Sequence, residues 1–237
     1  MGSTYAIGIM GAVQADPPTP PPQPQGNTPG QAQSGSCVWG DSHCSQNGHD
    51  GDDGSTGLAG VNGTNGLPGL PALAANITIT TLSGLLAVAS QGGPGQNGGK
   101  GGTGAQGGNG GQGGNGPGCQ AVGCSGGNGG DGANGMQGGN GGDGGNGGNA
   151  QKVTISIPLN GGGTIQTNPV AGIVGQGGQG GDGGAVGQGG QGGGSGYGGH
   201  NGNNGQPGSQ AGARGNPGNP GVSAGNIGII AIVPSRN

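Results

Sequence analysis

Four cysteines are the residues whose type and spacing most clearly predict a covalent chemistry. Cys37 and Cys44 form one local pair, and Cys119 and Cys124 form a second. Neither pair has the CxxC spacing typical of zinc sites, so disulfides are favoured over a metal centre. Local bridges, Cys37 with Cys44 and Cys119 with Cys124, are expected, and bridges between the two pairs are the alternative. A disulfide-stapled chain is expected outside the cell or at its surface.

A short acidic run is the nearest approach to a metal-binding motif. Asp50, Asp52 and Asp53 lie together in HDGDDG, where weak cation binding is an alternative to a solvated loop, which is favoured. Two GGNGGDG stretches and one GGQGGDG stretch match the first six positions of the calcium β-roll nonapeptide but lack its large apolar residue. We therefore predict no metal site.

Catalytic and cofactor motifs are equally weak. His43, His49 and His200 have no nucleophile at a recognisable spacing. The pattern GxGxxG is trivial in a chain with 76 glycines, and no copy opens a helix after a strand. Eight acidic and four basic residues give a net charge of −4, too few charges for a nucleic-acid stripe or a polybasic membrane surface. We expect no enzyme, no cofactor, no nucleic acid and no membrane span.

Glycine recurs at every third position over long stretches of the chain. The period holds over Gly48–Gly69, Gly92–Gly116, Gly126–Gly147 and Gly172–Gly208. Three residues per turn is the geometry of polyproline II, in which each phase class forms one edge of an extended helix. Disordered linkers are the alternative, but a linker has no reason to keep phase. The period therefore favours packed helices.

The residues between the glycines define how such helices would pack. Seventeen prolines in 237 residues are too few for collagen. GGN and GGD triplets leave two edges bare, so neighbouring backbones can bond directly. No phenylalanine and 5% charged residues exclude an ordinary apolar core. The predicted fold is a bundle of polyproline II/polyglycine II helices with a small antiparallel β layer and essentially no α-helix. Its interior is expected at Gly92–Gly148 and its periphery at Gly199–Gly221, with water-facing Asn128, Asp131, Asn140, Asp143 and Asn146.

Composition divides the chain into four parts. Residues 1–15 are apolar and fit either a β segment, including a donor strand, or a signal-like sequence. Residues 16–36 form a Pro-rich linker, and residues 37–75 combine two cysteines with a collagen-like G-x-y stretch. Residues 76–237 form the glycine-rich bundle with interleaved strands.

The interleaved strands form an incomplete repeat. Asn76–Gly93 and Lys152–Gly178 each predict a β-branched strand, a turn and a second apolar strand, whereas Asn226–Asn237 supplies only a first strand. Ala6–Gln14 resembles the missing half. Either this segment pairs with its own C-terminal strand, or it comes from the next subunit and the protein polymerises head to tail, which the Pro-rich linker favours. The residues assigned to this contact are Ala6, Ile7, Ile9, Met10 and Val13, and Ile227, Ile229, Ile230, Ile232 and Val233.

With its GGN, GGD and GGQ triplets, the sequence resembles the glycine-rich polyproline II bundle proteins, which include springtail antifreeze proteins, phage tail-tip adhesins and bacterial surface proteins. The resemblance implies three functions. Ice binding requires ranks of Ala, Thr or Ser, whereas the outward positions here are Asn, Gln and Asp. Adhesin tips require aromatic loops, for which only Trp39 and Tyr197 are present. We therefore expect a structural subunit of an extracellular filament or matrix, with itself as partner.

Overall fold

The computed structural model describes residues 4–38, 43–157, 162–221 and 230–234. Within these residues the chain forms eight β-strands and no helix. In chain order the strands are Thr4–Met10 (β1), Ser36–Cys37 (β2), Cys44–Gln46 (β3), Ala75–Thr78 (β4), Leu85–Gln91 (β5), Val153–Ile157 (β6), Thr164–Val170 (β7) and Ile230–Pro234 (β8).

Six of these strands form two parallel sheets. The first sheet has the order β1-β5-β7, and the second has the order β4-β6-β8. Val88 in the centre of the first sheet pairs with Ile7 of β1. Ile155 in the centre of the second sheet pairs with Ile77 on one side and Ile232 on the other. Strands β2 and β3 form a separate antiparallel pair.

The predicted antiparallel β layer is wrong, because both three-stranded sheets are parallel. The consecutive strands β4 and β5 do not form a hairpin, since the chain between them crosses from one sheet to the other. Leu82 in this crossing belongs to the apolar core, and Gly84 has a φ of 91°, which glycine adopts at no steric cost. Each sheet therefore receives alternate strands, all running in one direction.

The predicted bundle of polyproline II helices is not evident either. The glycine-rich residues between the strands are assigned to neither helix nor strand. Their order lies in hydrogen bonds between segments of chain that lie side by side. We number these segments in chain order as segment 1 (11–35), segment 2 (48–72), segment 3 (92–116), segment 4 (124–148), segment 5 (172–196) and segment 6 (199–221).

The segments form two hydrogen-bonded layers. Segments 1, 3 and 5 each follow a strand of the first sheet in the chain, and they run parallel and bond to one another. Segments 2, 4 and 6 each precede a strand of the second sheet, and they too run parallel and bond to one another. Within a layer, the N–H of Gly101 donates to the oxygen of Gln179 (2.8 Å). Between layers, the N–H of Gly102 donates to the oxygen of Val61 (2.7 Å). Adjacent glycines thus bond in different directions, and the pattern repeats at every third residue.

The expected interior at Gly92–Gly148 is confirmed. Segment 3 bonds to segments 1, 2, 4 and 5, and segment 4 bonds to segments 2, 3, 5 and 6. Within the described part of the chain, segment 6 bonds only to segments 4 and 5, and it lies at the periphery. A small apolar core exists as well, between the two sheets, where its buried members are Leu82, Leu86, Val88, Val153 and Ile155.

Glycine is required where the two layers approach each other. The N–H of Gly139 in segment 4 donates to the oxygen of Gly102 (2.9 Å), while a Cβ at Gly139 would overlap the main-chain oxygen of Val61. Gly30 in segment 1 differs, because a Cβ there would meet no atom within 4 Å. The need for glycine therefore comes from neighbouring backbone and differs between central and outer segments.

Replacing a central glycine should destabilise the fold far more than replacing an outer one. Gly139→Ala forces two backbones apart, so we expect a loss of at least about 3 kcal/mol in the free energy of unfolding. Gly30→Ala is the matched control and should change stability by less than about 1 kcal/mol. Thermal unfolding of both variants measures the difference. Equal stability of the two variants would contradict the packing of the layers.

Candidate assembly surfaces

Two disulfides close the end of the molecule opposite the sheets. Cys37 is bonded to Cys119, and Cys44 is bonded to Cys124. The local pairing predicted from the sequence is wrong, and the alternative between the two pairs is correct. The antiparallel β2–β3 pair places Cys37 opposite Cys44. Cys37 then reaches the turn between segments 3 and 4 across a Cα–Cα distance of 5.9 Å, and Cys44 reaches the start of segment 4 across 4.9 Å.

These bridges connect parts of the chain that are far apart in sequence. They span 82 and 80 residues, and in the chain-entropy account a loop of that length stabilises the folded state by about 4–5 kcal/mol. Both bridges start in the connection between segments 1 and 2; one ends in the turn between segments 3 and 4, and the other ends at the first residue of segment 4. Disulfides of this kind are typical of an oxidising compartment.

The outward residues of segments 2, 4 and 6 form a surface that we call the amide face. The N–H of Asn140 donates to Oδ1 of Asn62 (2.8 Å), and the N–H of Asn216 donates to Oδ1 of Asn140 (2.9 Å). The first two side chains of each rank thereby accept a hydrogen bond from the next segment. The ranks bonded in this way are Asn47–Ser125–His200, Asp50–Asn128–Asn203, Asp53–Asp131–Gln206, Asn62–Asn140–Asn216 and Asn65–Asp143–Asn219.

This ladder explains the polar residue of each GGN and GGD triplet. The expected exposure of Asn128, Asp131, Asn140, Asp143 and Asn146 is confirmed, but sequence reasoning assigned them only to water. A short side chain with a carbonyl or carboxylate oxygen can reach the N–H of the adjacent segment, and Asn and Asp both provide one. The preference for Asn and Asp over Ser or Thr was the available signal.

The acidic residues of HDGDDG lie within this arrangement. Oδ1 of Asp50 accepts the N–H of Asn128 (2.6 Å), and Oδ1 of Asp53 accepts the N–H of Asp131 (2.7 Å). The main-chain oxygen of Asp52 accepts the N–H of Gly111 (2.8 Å) and faces the other layer. Among the described residues there is no group of three or more metal-ligating side chains. The acidic run thus contributes hydrogen-bond acceptors to the amide face.

The strands predicted to mediate polymerisation each have a partner within the chain. β1, with Ala6, Ile7, Ile9 and Met10, pairs with β5, and Ile7 and Ile9 pack against the core. β8 pairs with β6. The hypothesis that the N-terminal segment pairs with its own C-terminal strand is therefore wrong, because the two strands belong to different sheets. Exchange between subunits stays a prediction.

The other residues assigned to this contact are distributed as follows. Val13 lies in segment 1 and is 76% exposed. Ile230, Ile232 and Val233 belong to β8. Ile227 and Ile229 lie outside the described residues, as does Trp39.

One lateral edge of the first layer carries main-chain N–H groups that point outward. The N–H of Thr164 in β7 donates to the oxygen of Gly84 (2.8 Å), and residues alternate in direction along a strand, so Ile165 and Thr167 direct their N–H groups away from β5. In segment 5 several glycine N–H groups make no hydrogen bond to a described residue. They are those of Gly177, Gly180, Gly183 and Gly189. We call β7 and segment 5 the donor edge.

The opposite edge of the same layer consists of β1 and segment 1, and we call it the acceptor edge. The N–H of Gly11 donates to the oxygen of Gln91 (2.9 Å), so Ala6, Gly8 and Met10 direct their backbone groups away from β5. Outward carbonyl oxygens in segment 1 accept no hydrogen bond from the described chain. These oxygens belong to Val13, Asp16, Thr19, Gln25 and Thr28.

Comparisons with known proteins identify no family for this chain. No family model matches the sequence, and no curated protein matches it. A solved structure of a nine polyproline type II helical bundle springtail antifreeze protein from Granisotoma rainieri is similar at 23% identity, covering 68% of this chain and 92% of that protein. The TM-score of that match is 0.10. In the described part of the chain, no helix is long and apolar enough to cross a membrane.

Removing a side chain from the ladder should cost one hydrogen bond. Asn140→Ala leaves the N–H of Asn216 without its acceptor, and we expect a loss of about 0.5–1.5 kcal/mol in the free energy of unfolding. Gln137→Ala is the matched control, because Gln137 is an exposed residue of the same segment without a side-chain bond in the ladder, and a change below about 0.5 kcal/mol is expected. Chemical denaturation compares them, and equal losses would contradict the ladder.

Removing one disulfide should destabilise the end of the molecule that it closes. The double variant Cys44→Ala/Cys124→Ala keeps the Cys37–Cys119 bridge, so the bridge that it loses closes only the short ring through residues 37–44 and 119–124. We therefore expect a loss of about 3 kcal/mol in the free energy of unfolding. Peptide mapping of the unreduced protein provides the check on connectivity. Fragments containing Cys37 joined to Cys44 would overturn the assignment.

Proposed function

We propose that this protein is a non-catalytic structural subunit that assembles with copies of itself outside the cell. The observation that carries the proposal is the contrast between a saturated interior and unsaturated edges. Segments 3 and 4 bond to neighbours on four sides, whereas the donor edge and the acceptor edge keep backbone groups that have no partner among the described residues. Open backbone edges are templates for pairing with another chain.

The rigidity of the subunit supports a structural role. Hydrogen bonds between segments recur at every third residue, and the two disulfides and the two-sheet core close the opposite ends. Because each of these bonds joins one backbone directly to the next, a force on one segment is passed to its neighbours. A subunit that must resist mechanical force in a filament or matrix needs this direct transmission of force between its segments.

The chemistry of the surface is consistent with an extracellular location. Only 5% of the residues are charged, and the single ion pair among the described residues, Arg214–Asp182 (3.5 Å), is exposed. The disulfides favour an oxidising environment. A secreted filament or matrix, attached to or near a cell surface, therefore suits the chain better than a cytosolic role.

Ice binding is a second candidate, favoured by the amide face alone. Ordered ranks such as Asn62–Asn140–Asn216 hold polar groups in fixed positions. However, the side-chain oxygens of Asn62 and Asn140 already accept hydrogen bonds within the protein. Thermal hysteresis of the purified protein tests this candidate, and ice shaping would favour it over assembly.

Assembly is tested with the purified full-length chain under non-reducing conditions. We expect sedimentation velocity to show species that grow with concentration, and electron microscopy to show elongated particles, because open edges pair more as collisions become frequent. The reduced protein is the control. Loss of the disulfides should lower the stability of the fold, whereas the donor and acceptor edges, which contain no cysteine, should still pair while the protein stays folded. A monomer that persists at every soluble concentration would refute the proposal.

A further inference from the structure

We propose that the donor edge of one copy binds the acceptor edge of the next, so that the first layer continues from subunit to subunit. This inference rests on the proposed function and names the surfaces that would carry it. The partner is a second copy of this chain, because the two edges complement each other in type of group, spacing and direction.

The type of group and its spacing repeat the bonding found inside the molecule. Gly98 and Gly101 of segment 3 donate their N–H groups to Gln176 and Gln179 of segment 5 (2.8 Å each). Gly177 and Gly180 hold the same triplet position in segment 5, again three residues apart, but have no further segment to bond. Segment 1 of a second copy offers the missing carbonyl oxygens, such as those of Asp16 and Thr19, at the same spacing.

The direction of the strands agrees with this arrangement. β1, β5 and β7 are parallel, so β1 of a second copy placed beside β7 by translation would be parallel as well. The outward groups of Ile165 and Thr167 would then face those of Ala6 and Gly8. If the second copy pairs in the same register as the strands within the sheet, its Ile7 and Ile9 lie on the same face of the sheet as Ile165 of the first copy. This is the face that packs against the apolar core. The apolar and polar faces of the sheet therefore continue unbroken.

The contact is heterologous and does not close on itself. Each copy uses its donor edge on one side and its acceptor edge on the other, and repeated translation of such a contact generates an open filament. This differs from strand exchange, in which β1 would leave β5 of its own chain. In edge pairing every strand keeps the partner that the structure shows.

Several residues limit the contact to part of one layer. Pro169 occupies an outward position in β7 and has no N–H. At the C-terminal end of segment 5, the N–H of Ser195 donates to the side chain of Asn201, and the N–H of Gly192 donates to the side chain of Asn204. These two N–H groups of the donor edge are therefore already bonded within the chain. In segment 6, one residue of each triplet would direct its N–H toward a further segment of the second layer. Three of these residues are prolines, which have no N–H, namely Pro207, Pro217 and Pro220. The second layer therefore does not extend, and association is expected to be moderate and dependent on concentration.

The test uses Gly8, whose backbone N–H faces outward and whose Cβ would meet no atom within 4 Å. Gly8→Pro removes this N–H and introduces a ring at the acceptor edge, in the same way that Pro169 limits the donor edge. Association measured by sedimentation should weaken at least about tenfold. Gly8→Ala is the matched control, because it keeps the N–H, and it should associate like the unmodified protein. Association of Gly8→Pro at unmodified strength would overturn the inference.

A second variant separates edge pairing from strand exchange. Ala6 and Ala87 are paired across β1 and β5, so Ala6→Cys/Ala87→Cys can lock β1 to its own chain by a disulfide. The locked protein should assemble as well as the unmodified protein under edge pairing. Loss of assembly on locking, with recovery on selective reduction, would overturn the inference in favour of exchange while leaving the proposed function in place.

Amide exchange provides a measurement that does not depend on the folding of any variant. Assembly of the unmodified protein should slow exchange at Gly177, Gly180 and Gly183 at least about tenfold relative to the monomer, because their N–H groups gain acceptors. Unchanged exchange at these glycines in assembled material would overturn the inference. Failure of the unmodified protein to assemble at all would instead remove the proposed function on which it rests.

Discussion

The close approach of backbones without Cβ atoms is the constraint on which the rest of this structure depends. Gly102 and Gly139 illustrate it, because their main chains bond directly (2.9 Å) while a Cβ at Gly139 would overlap a third segment. Glycine loses more conformational entropy on folding than any other residue, and each hydrogen bond returns only about 1 kcal/mol. Such a fold therefore needs dense bonding in several directions, together with covalent bridges and a small apolar core at its ends.

The polar third residue of each triplet completes this bonding at the surface. A segment has three phases of residues, and in segments 3 and 4 two of them are used by glycines that donate to different neighbours. The N–H of the outward residue would otherwise depend on water alone. In ranks such as Asn62–Asn140–Asn216 it donates to the side chain of the adjacent segment, so the amide face is part of the stabilising network and not a passive coat.

The sequence allowed the interior to be located but not the sheets or the bridges. Phase and paired glycines marked Gly92–Gly148 as central, because a segment with two bare positions must have neighbours on both sides. The direction of pairing could not be derived, since β4 and β5 show the same alternation whether the link between them makes a hairpin or crosses between sheets. The pairing of Cys37 with Cys119 depends on which turns meet at the far end, and local spacing contains no information on that. The role of the Asn128 and Asp131 side chains as hydrogen-bond acceptors was missed for a related reason. Predicting it requires knowing how far segments 4 and 6 are shifted along each other, which the sequence does not show.

The same physics that stabilises the centre makes the outermost segments reactive toward other backbones. An internal segment satisfies its N–H groups through its neighbours, so a segment at the end of a layer must be capped, blocked or left open. Segment 6 is blocked by proline at positions 207, 217 and 220. One end of segment 5 is capped, because Asn204 accepts the N–H of Gly192, whereas Gly177, Gly180 and Gly183 of the same segment are left open. Because the chain blocks the edge of one layer and leaves most of the edge of the other open, the open edge is better explained as an interface than as an accident of a glycine-rich composition.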